Sequence, residues 1–87
     1  MSIPKYDELY DQVLKALADG NKHTVKELRA SVLSQVNLTP EEKVRRISSG
    51  IQTVFDNRVG WAKTYLKKAG MIQSTKRGIY ELSEDGK

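Results

Sequence analysis

The chain has no cysteine, so it can form neither a disulfide nor a thiolate metal site. It has a single histidine, His23, which cannot assemble a zinc site with the residue types around it, and no Ser/His/Asp set forms about it. No apolar stretch approaches ~18 residues, so no segment is expected to span a membrane. The N-terminus lacks the basic-then-apolar pattern of a secretory signal, which makes a cytoplasmic location the default. No glycine-rich phosphate loop precedes a helix, and there are no internal repeats or low-complexity tracts. With 87 residues, one small core burying roughly 60–65% of the unfolded surface is all the chain can build. A large substrate cavity beside that core is not expected, and neither is a cofactor or a bound metal. Residues 1–87 are expected to be one domain.

What the chain does have is positive charge in one half. Residues 1–42 carry five Lys/Arg and seven Asp/Glu, a balance of −2; residues 43–87 carry ten and four, a balance of +6; the sum is the net +4. Such asymmetry points to a polyanionic partner, because each phosphate contact releases condensed counterions.

Helix signals recur. Tyr6, Tyr10, Val13, Leu14 and Leu17 fall at helical spacing, with Asp7, Glu8 and Asp11 near the positive end of the dipole, and predict a helix from Tyr6 to Ala18 closed at Gly20. Thr24 with Glu27 forms a capping box for a second helix to Gln35, whose face is Val25, Leu28, Val32 and Val36. Thr39-Pro40-Glu41-Glu42 starts a short third helix over Pro40 to Arg46. After the loop Ser48-Ser49-Gly50, Thr53 with Asp56 opens a long helix. Phe55, Val59, Ala62, Leu66 and Ala69 make its buried stripe, and Gly70 ends it. Met71–Ser74 and Ile79–Leu82 predict two short strands around Thr75-Lys76-Arg77-Gly78, with Ile72, Tyr80 and Leu82 facing inward. Ser83-Glu84-Asp85-Gly86 reads as another helix start, so the chain is expected to be the N-terminal part of a longer protein.

A long helix followed by a basic hairpin is the DNA-facing half of a winged helix-turn-helix. The expected fold is therefore mainly α with a small β-hairpin wing, and an extra short helix before the recognition helix. Double-stranded DNA is the expected partner. On the long helix Asn57 can bond an adenine edge and Arg58 a guanine edge. Thr64 can touch a thymine methyl or a phosphate, while Lys63, Lys67 and Lys68 can neutralise phosphates. Gly60 on the outer side permits close approach to a nucleic-acid backbone. At the hairpin tip Lys76 and Arg77 can reach a minor groove or flanking phosphates. Arg45 and Arg46 either contact phosphate or complement the end of the third helix. Trp61 either packs on Tyr6 or Tyr10, or stacks on an extruded base. The plainer reading of all these groups is a solvated helix face and a polar turn. Glu41-Glu42-Lys43 spells part of a metal-dependent nuclease signature, but it lies at a helix start without a second acid on a neighbouring strand. No catalytic residue is assigned.

The block Phe55-Asp56-Asn57-Arg58-Val59-Gly60-Trp61-Ala62, continuing Tyr65-Leu66-Lys67-Lys68-Ala69-Gly70, resembles the N-terminal domain of Mrr-type restriction endonucleases. Ile3-Pro4 with Tyr6-Asp7-Glu8-Leu9, Leu14 to Gly20, Leu38-Thr39 with Glu41-Glu42, Ser49-Gly50, and Arg77-Gly78-Ile79-Tyr80 follow in the same order. The resemblance implies a DNA-binding winged helix joined to a C-terminal nuclease domain, in enzymes acting on foreign or modified DNA, notably methylated DNA. The nuclease acids and lysine have no counterpart here, so cleavage is not expected of this chain alone. Two other readings stand beside this one. The first is a winged helix that binds protein through an exposed apolar patch. The second is a stand-alone regulator that dimerises through its first helix.

Overall fold

The first helical segment winds tightly before it winds normally. In the computed structural model, which describes residues 3–84, a 3-10 turn over Tyr6–Leu9 leads into α1 (Tyr10–Ala16). Glu8 accepts the Lys5 amide at 3.0 Å while its own amide donates to the Lys5 carbonyl at 3.0 Å, which clamps that turn. The helix ends at Ala16 rather than Ala18, and Gly20 makes the turn with φ +79°.

A two-residue strand, β1 (His23–Thr24), comes next and runs directly into α2 (Val25–Gln35). Thr24 both closes the strand and caps the helix. Its hydroxyl accepts the Glu27 amide at 3.1 Å, and the Glu27 carboxylate accepts the Thr24 amide at 2.9 Å. Thr39 and Glu42 repeat the arrangement at 3.2 and 2.9 Å for α3 (Pro40–Val44), with Pro40 in the first turn. This helix stops two residues short of Arg46 because Arg45 turns to extended backbone. The Arg45 carbonyl then accepts the Val54 amide at 2.7 Å, and Arg46 bridges Thr53. That bridge delivers the chain to Thr53, whose hydroxyl accepts the Asp56 amide at 3.1 Å and caps α4 (Val54–Lys68).

The hairpin consists of β2 (Ile72–Lys76) and β3 (Ile79–Leu82). With β1 it forms an antiparallel sheet ordered β1-β3-β2. Ile72 sits opposite Leu82 and Gln73 opposite Glu81, then a register irregularity shifts the pairing so that Lys76 faces Ile79. Gly78 takes φ +79° in the turn. On the other edge His23 faces Tyr80, Thr24 faces Ile79, and the Val25 amide donates to the Gly78 carbonyl at 3.1 Å. The wing is thus bonded to the head of α2.

One core joins these pieces. Leu9, Val13 and Leu17 meet Leu28 and Val32, with Phe55, Val59, Ala62 and Leu66 of α4 and Ile72 and Leu82 of the hairpin. The expected α4 stripe is buried except for Ala69, which is exposed because the helix ends at Lys68 and Ala69 serves as its C-cap. Tyr80 is half-buried against the same cluster. The fold is mainly α, winged-helix-like, with the extra helix α3 before α4. The helix start expected at Ser83–Gly86 lies partly outside the described residues, since Asp85 and Gly86 are beyond them.

Three carboxyls in these junctions are held below their ordinary values. The Thr24 amide does this for Glu27 and the Thr39 amide for Glu42, while the His23 side chain does so first for Asp19. These bonds exist only in the folded chain, so the unfolded chain binds protons more readily. Their stabilisation is complete above about pH 5 and is lost as pH falls through the ordinary carboxyl range and on to the depressed folded values. A thermal-unfolding series should therefore be flat down to about pH 5 and fall steeply below about pH 4. Glu27→Gln with Glu42→Gln should flatten that acid limb. A midpoint unchanged down to about pH 3 would contradict the assignment.

Candidate nucleic-acid interface

Burial of Phe55, Val59, Ala62 and Leu66 turns the opposite side of α4 outward. That side is not flat. Asn57, Gly60, Lys63 and Thr64 line a shallow depression of about 330 Å³, together with Asp56 and Trp61 of the same helix, Gln52 of the preceding loop and Arg29 of α2. Three of the site residues expected from sequence, Asn57, Lys63 and Thr64, are therefore brought together. A Cβ added at Gly60 would meet nothing within 4 Å, so the glycine leaves open space there rather than relieving an internal clash. Thr64 donates its hydroxyl proton to the Gly60 carbonyl at 2.9 Å, which leaves its methyl group and oxygen lone pairs for other contacts.

Lys63 links this helix face to the wing. Its Nζ lies 4.7 Å from the centroid of the Tyr80 ring on β3, a cation–π contact across the two elements. Beyond Tyr80 the hairpin leads to Lys76 and Arg77, both exposed at the tip. Lys67 and Lys68 are exposed in the last turn of α4, and Lys68 Nζ rests 5.7 Å from the Tyr65 ring. His23 Nε2 lies 2.9 Å from the Asp19 carboxylate, and among the described residues no carboxylate lies within ion-pair distance of Lys63, Lys67, Lys68, Lys76 or Arg77. The cations of α4 and the wing are therefore not neutralised by acids of the described chain.

Arg58 departs from the expected role. Its guanidinium donates to the Ile3 carbonyl at 2.6 Å and the Pro4 carbonyl at 3.2 Å, on the flank of α4 that faces the start of the chain. It ties the first described residues down and is not one of the residues lining the depression. Trp61 is also not where packing alone would put it. Tyr65 rather than Trp61 takes the Tyr6 ring, stacked at 5.1 Å, and Tyr6 meets Tyr10 edge-on at 6.2 Å. Trp61 stays 49% exposed, 6.0 Å from Tyr65. Arg46 folds back to donate to the Gly50 carbonyl at 3.1 Å, and Arg45 is exposed at the end of α3.

Sequence reasoning assigned no site role to Arg29, Gln52 or Asp56. Arg29 arrives from α2, a separate helix earlier in the chain, and no periodicity connects it to α4. Asp56 reads as a capping acid and nothing more. Its carboxylate, unlike those of Glu27 and Glu42, makes no return bond to its cap. Among the described residues no group of three or more His, Asp or Glu side chains could hold a metal ion, and no helix is long and apolar enough to cross a membrane.

A long helix with an outward polar face, beside a hairpin bonded to the preceding helix, defines a winged-helix-like domain. The family model of the Mrr N-terminal domain matches residues 6–87, and the chain belongs to that family. It is similar to the type IV methyl-directed restriction enzyme EcoKMrr of Escherichia coli (strain K12), with 33% identity over 87 residues. That alignment covers 99% of this chain and 28% of the relative, so the chain spans little more than a quarter of the restriction enzyme's length. No solved structure matches the chain.

The Arg58 contacts give a separable expectation. Arg58→Ala should cost about 1–2 kcal/mol in urea unfolding, as expected for partly exposed bonds from a charged donor. It should also speed hydrogen exchange in the first residues while leaving duplex affinity unchanged. A large loss of duplex affinity without loss of stability would return Arg58 to the interface.

Proposed function

We propose that this domain binds double-stranded DNA. In this reading the outer side of α4 is presented to the major groove and the wing to the flanking backbone. Asn57 and Thr64 read base edges, while Lys63, Lys67, Lys68, Lys76 and Arg77 contact phosphates. The observation that carries this reading is Lys63 over Tyr80. It joins the depression on α4 to the hairpin that bears Lys76 and Arg77, so the free cations of both elements can address one duplex. Membership in the Mrr N-terminal family supports the same conclusion. We assign the chain the DNA-recognition role in a Mrr-like, modification-dependent restriction endonuclease that works in the cytoplasm. DNA cutting would fall to a linked nuclease domain in the part of the relative that this chain does not span.

A protein-binding role has one observation of its own, the half-exposed run Tyr6, Tyr65 and Trp61. It ranks second because the run is small and Lys68 lies over its Tyr65 ring, 5.7 Å from the centroid.

With about five phosphate contacts, log affinity against log salt should have a slope of about −4 to −5. The combined change Lys63→Glu, Lys67→Glu, Lys76→Glu and Arg77→Glu should abolish duplex binding with the circular-dichroism spectrum retained. Salt-independent binding, or wild-type affinity in the quadruple variant, would reject the interface. Gly60→Ala provides an opposite pairing of effects. It should raise stability by up to about 1 kcal/mol, because alanine is the better helix former. The same methyl should weaken duplex binding by occupying the close-approach space. An affinity that does not change would mean that DNA does not enter the depression.

A further inference from the structure

We propose that Asp56 is a specificity-determining residue, whose carboxylate accepts a hydrogen bond from the exocyclic amine of a cytosine or an adenine. The proposal rests on the DNA-binding reading above and names the base chemistry that the same site selects.

Asp56 is the one acid lining the depression, within a chain half whose balance is +6. An acid there repels phosphate and weakens non-specific binding, so a purely electrostatic surface would be better without it. Its place in the first turn of α4 suits a negative charge, which the positive end of the helix dipole favours, but gives the carboxylate no bonding partner. Glu27 and Glu42 at the matching positions of α2 and α3 return their carboxylates to the amides of Thr24 and Thr39, at 2.9 Å each. The Asp56 side chain is one methylene shorter and makes no such bond to Thr53. Among the described residues it has no hydrogen bond and no ion pair, although Arg29 lines the same depression. Arg29 itself keeps a buried Nε without a partner. A half-buried carboxylate is thus left free beside Asn57 and the half-exposed Trp61, on the face turned outward.

A carboxylate accepts hydrogen bonds and donates none. In the major groove, cytosine presents the N4 amine and adenine the N6 amine. Guanine offers N7 and O6, both acceptors, and thymine offers O4 and a methyl group. Asp56 therefore attracts a base with an amine and repels one that presents only acceptors. It selects by rejection as well as by bonding. Asn57, the next residue, carries both donor and acceptor groups and can complete the reading of an adjacent position.

The test uses the 87-residue chain. Duplexes are selected from a randomised pool with the wild type and with Asp56→Asn, each checked by circular dichroism. The wild-type selection should hold one position at C or A on the contacted strand. A change there to T or G should cost about fivefold to 100-fold in titrations. The amide of Asp56→Asn can donate as well as accept, so it should end the rejection of T and G there, and tighten binding to unrelated duplex. Asp56→Ala should lose the preference in the same way. If Asp56 serves only the helix start, Asp56→Asn lowers the melting temperature and leaves base preference intact, and the proposal is overturned. A wild type that binds duplex with no position restricted to C or A overturns it as well. A wild type that binds no duplex overturns the DNA reading itself, and this inference with it.

Discussion

The four apolar side chains Phe55, Val59, Ala62 and Leu66 constrain everything that follows from α4. Burying a large aliphatic or aromatic group is worth about 1.5–3 kcal/mol, so rotating this helix by even one position would forfeit several such terms at once. The helix therefore has one permitted orientation. Asn57, Gly60, Lys63 and Thr64 face outward because the other side is fully committed. The hairpin inherits that frame. Ile72 and Leu82 enter the same core, and the Gly78 carbonyl is bonded to the first amide of α2. The wing is held at its base and at Gly78 of its turn, while Lys76 and Arg77 beside that glycine stay exposed.

Charge is distributed by use. Several acids are consumed at local junctions: Glu8 at the 3-10 turn, Glu27 and Glu42 at helix caps, and Asp19 beside His23. All of these lie in the half of the chain that carries the excess of acid. The lysines and arginines of the other half find few partners within the described chain. Lys63 and Lys68 rest on tyrosine rings, and Arg58 and Arg46 bond backbone carbonyls. None of these arrangements cancels a positive charge. A modest net charge of +4 thus coexists with a balance of +6 over residues 43–87.

Much of this architecture could be read in the sequence because its signals are local. The Thr-x-x-acid pairs mark three helix starts to within a residue, and the α4 stripe and the glycine at its end are single-helix patterns. What escaped the sequence is non-local or too short. A strand of two residues has no alternation to detect, so β1 emerges only from its pairing with Tyr80 and Ile79. The Arg58 side chain reaches the carbonyls of Ile3 and Pro4, more than fifty residues back, while helical spacing alone put it at a groove. Trp61 lost its expected partner because Tyr65, one turn on, reaches Tyr6 first. Arg29 enters the α4 depression from α2, and Asp56 is hidden behind its ordinary place in a cap.

The contact between Lys63 and Tyr80 also bears on how tightly the domain can hold a ligand. A free lysine side chain sacrifices close to 2 kcal/mol of rotational freedom when it is fixed. Resting on an aromatic ring, the half-buried Lys63 side chain has fewer rotamers open to it than a lysine in open solvent. Part of the ordering penalty has thus been met in the unbound protein, and a contact made there should be more favourable than one made by an unrestrained lysine such as Lys76.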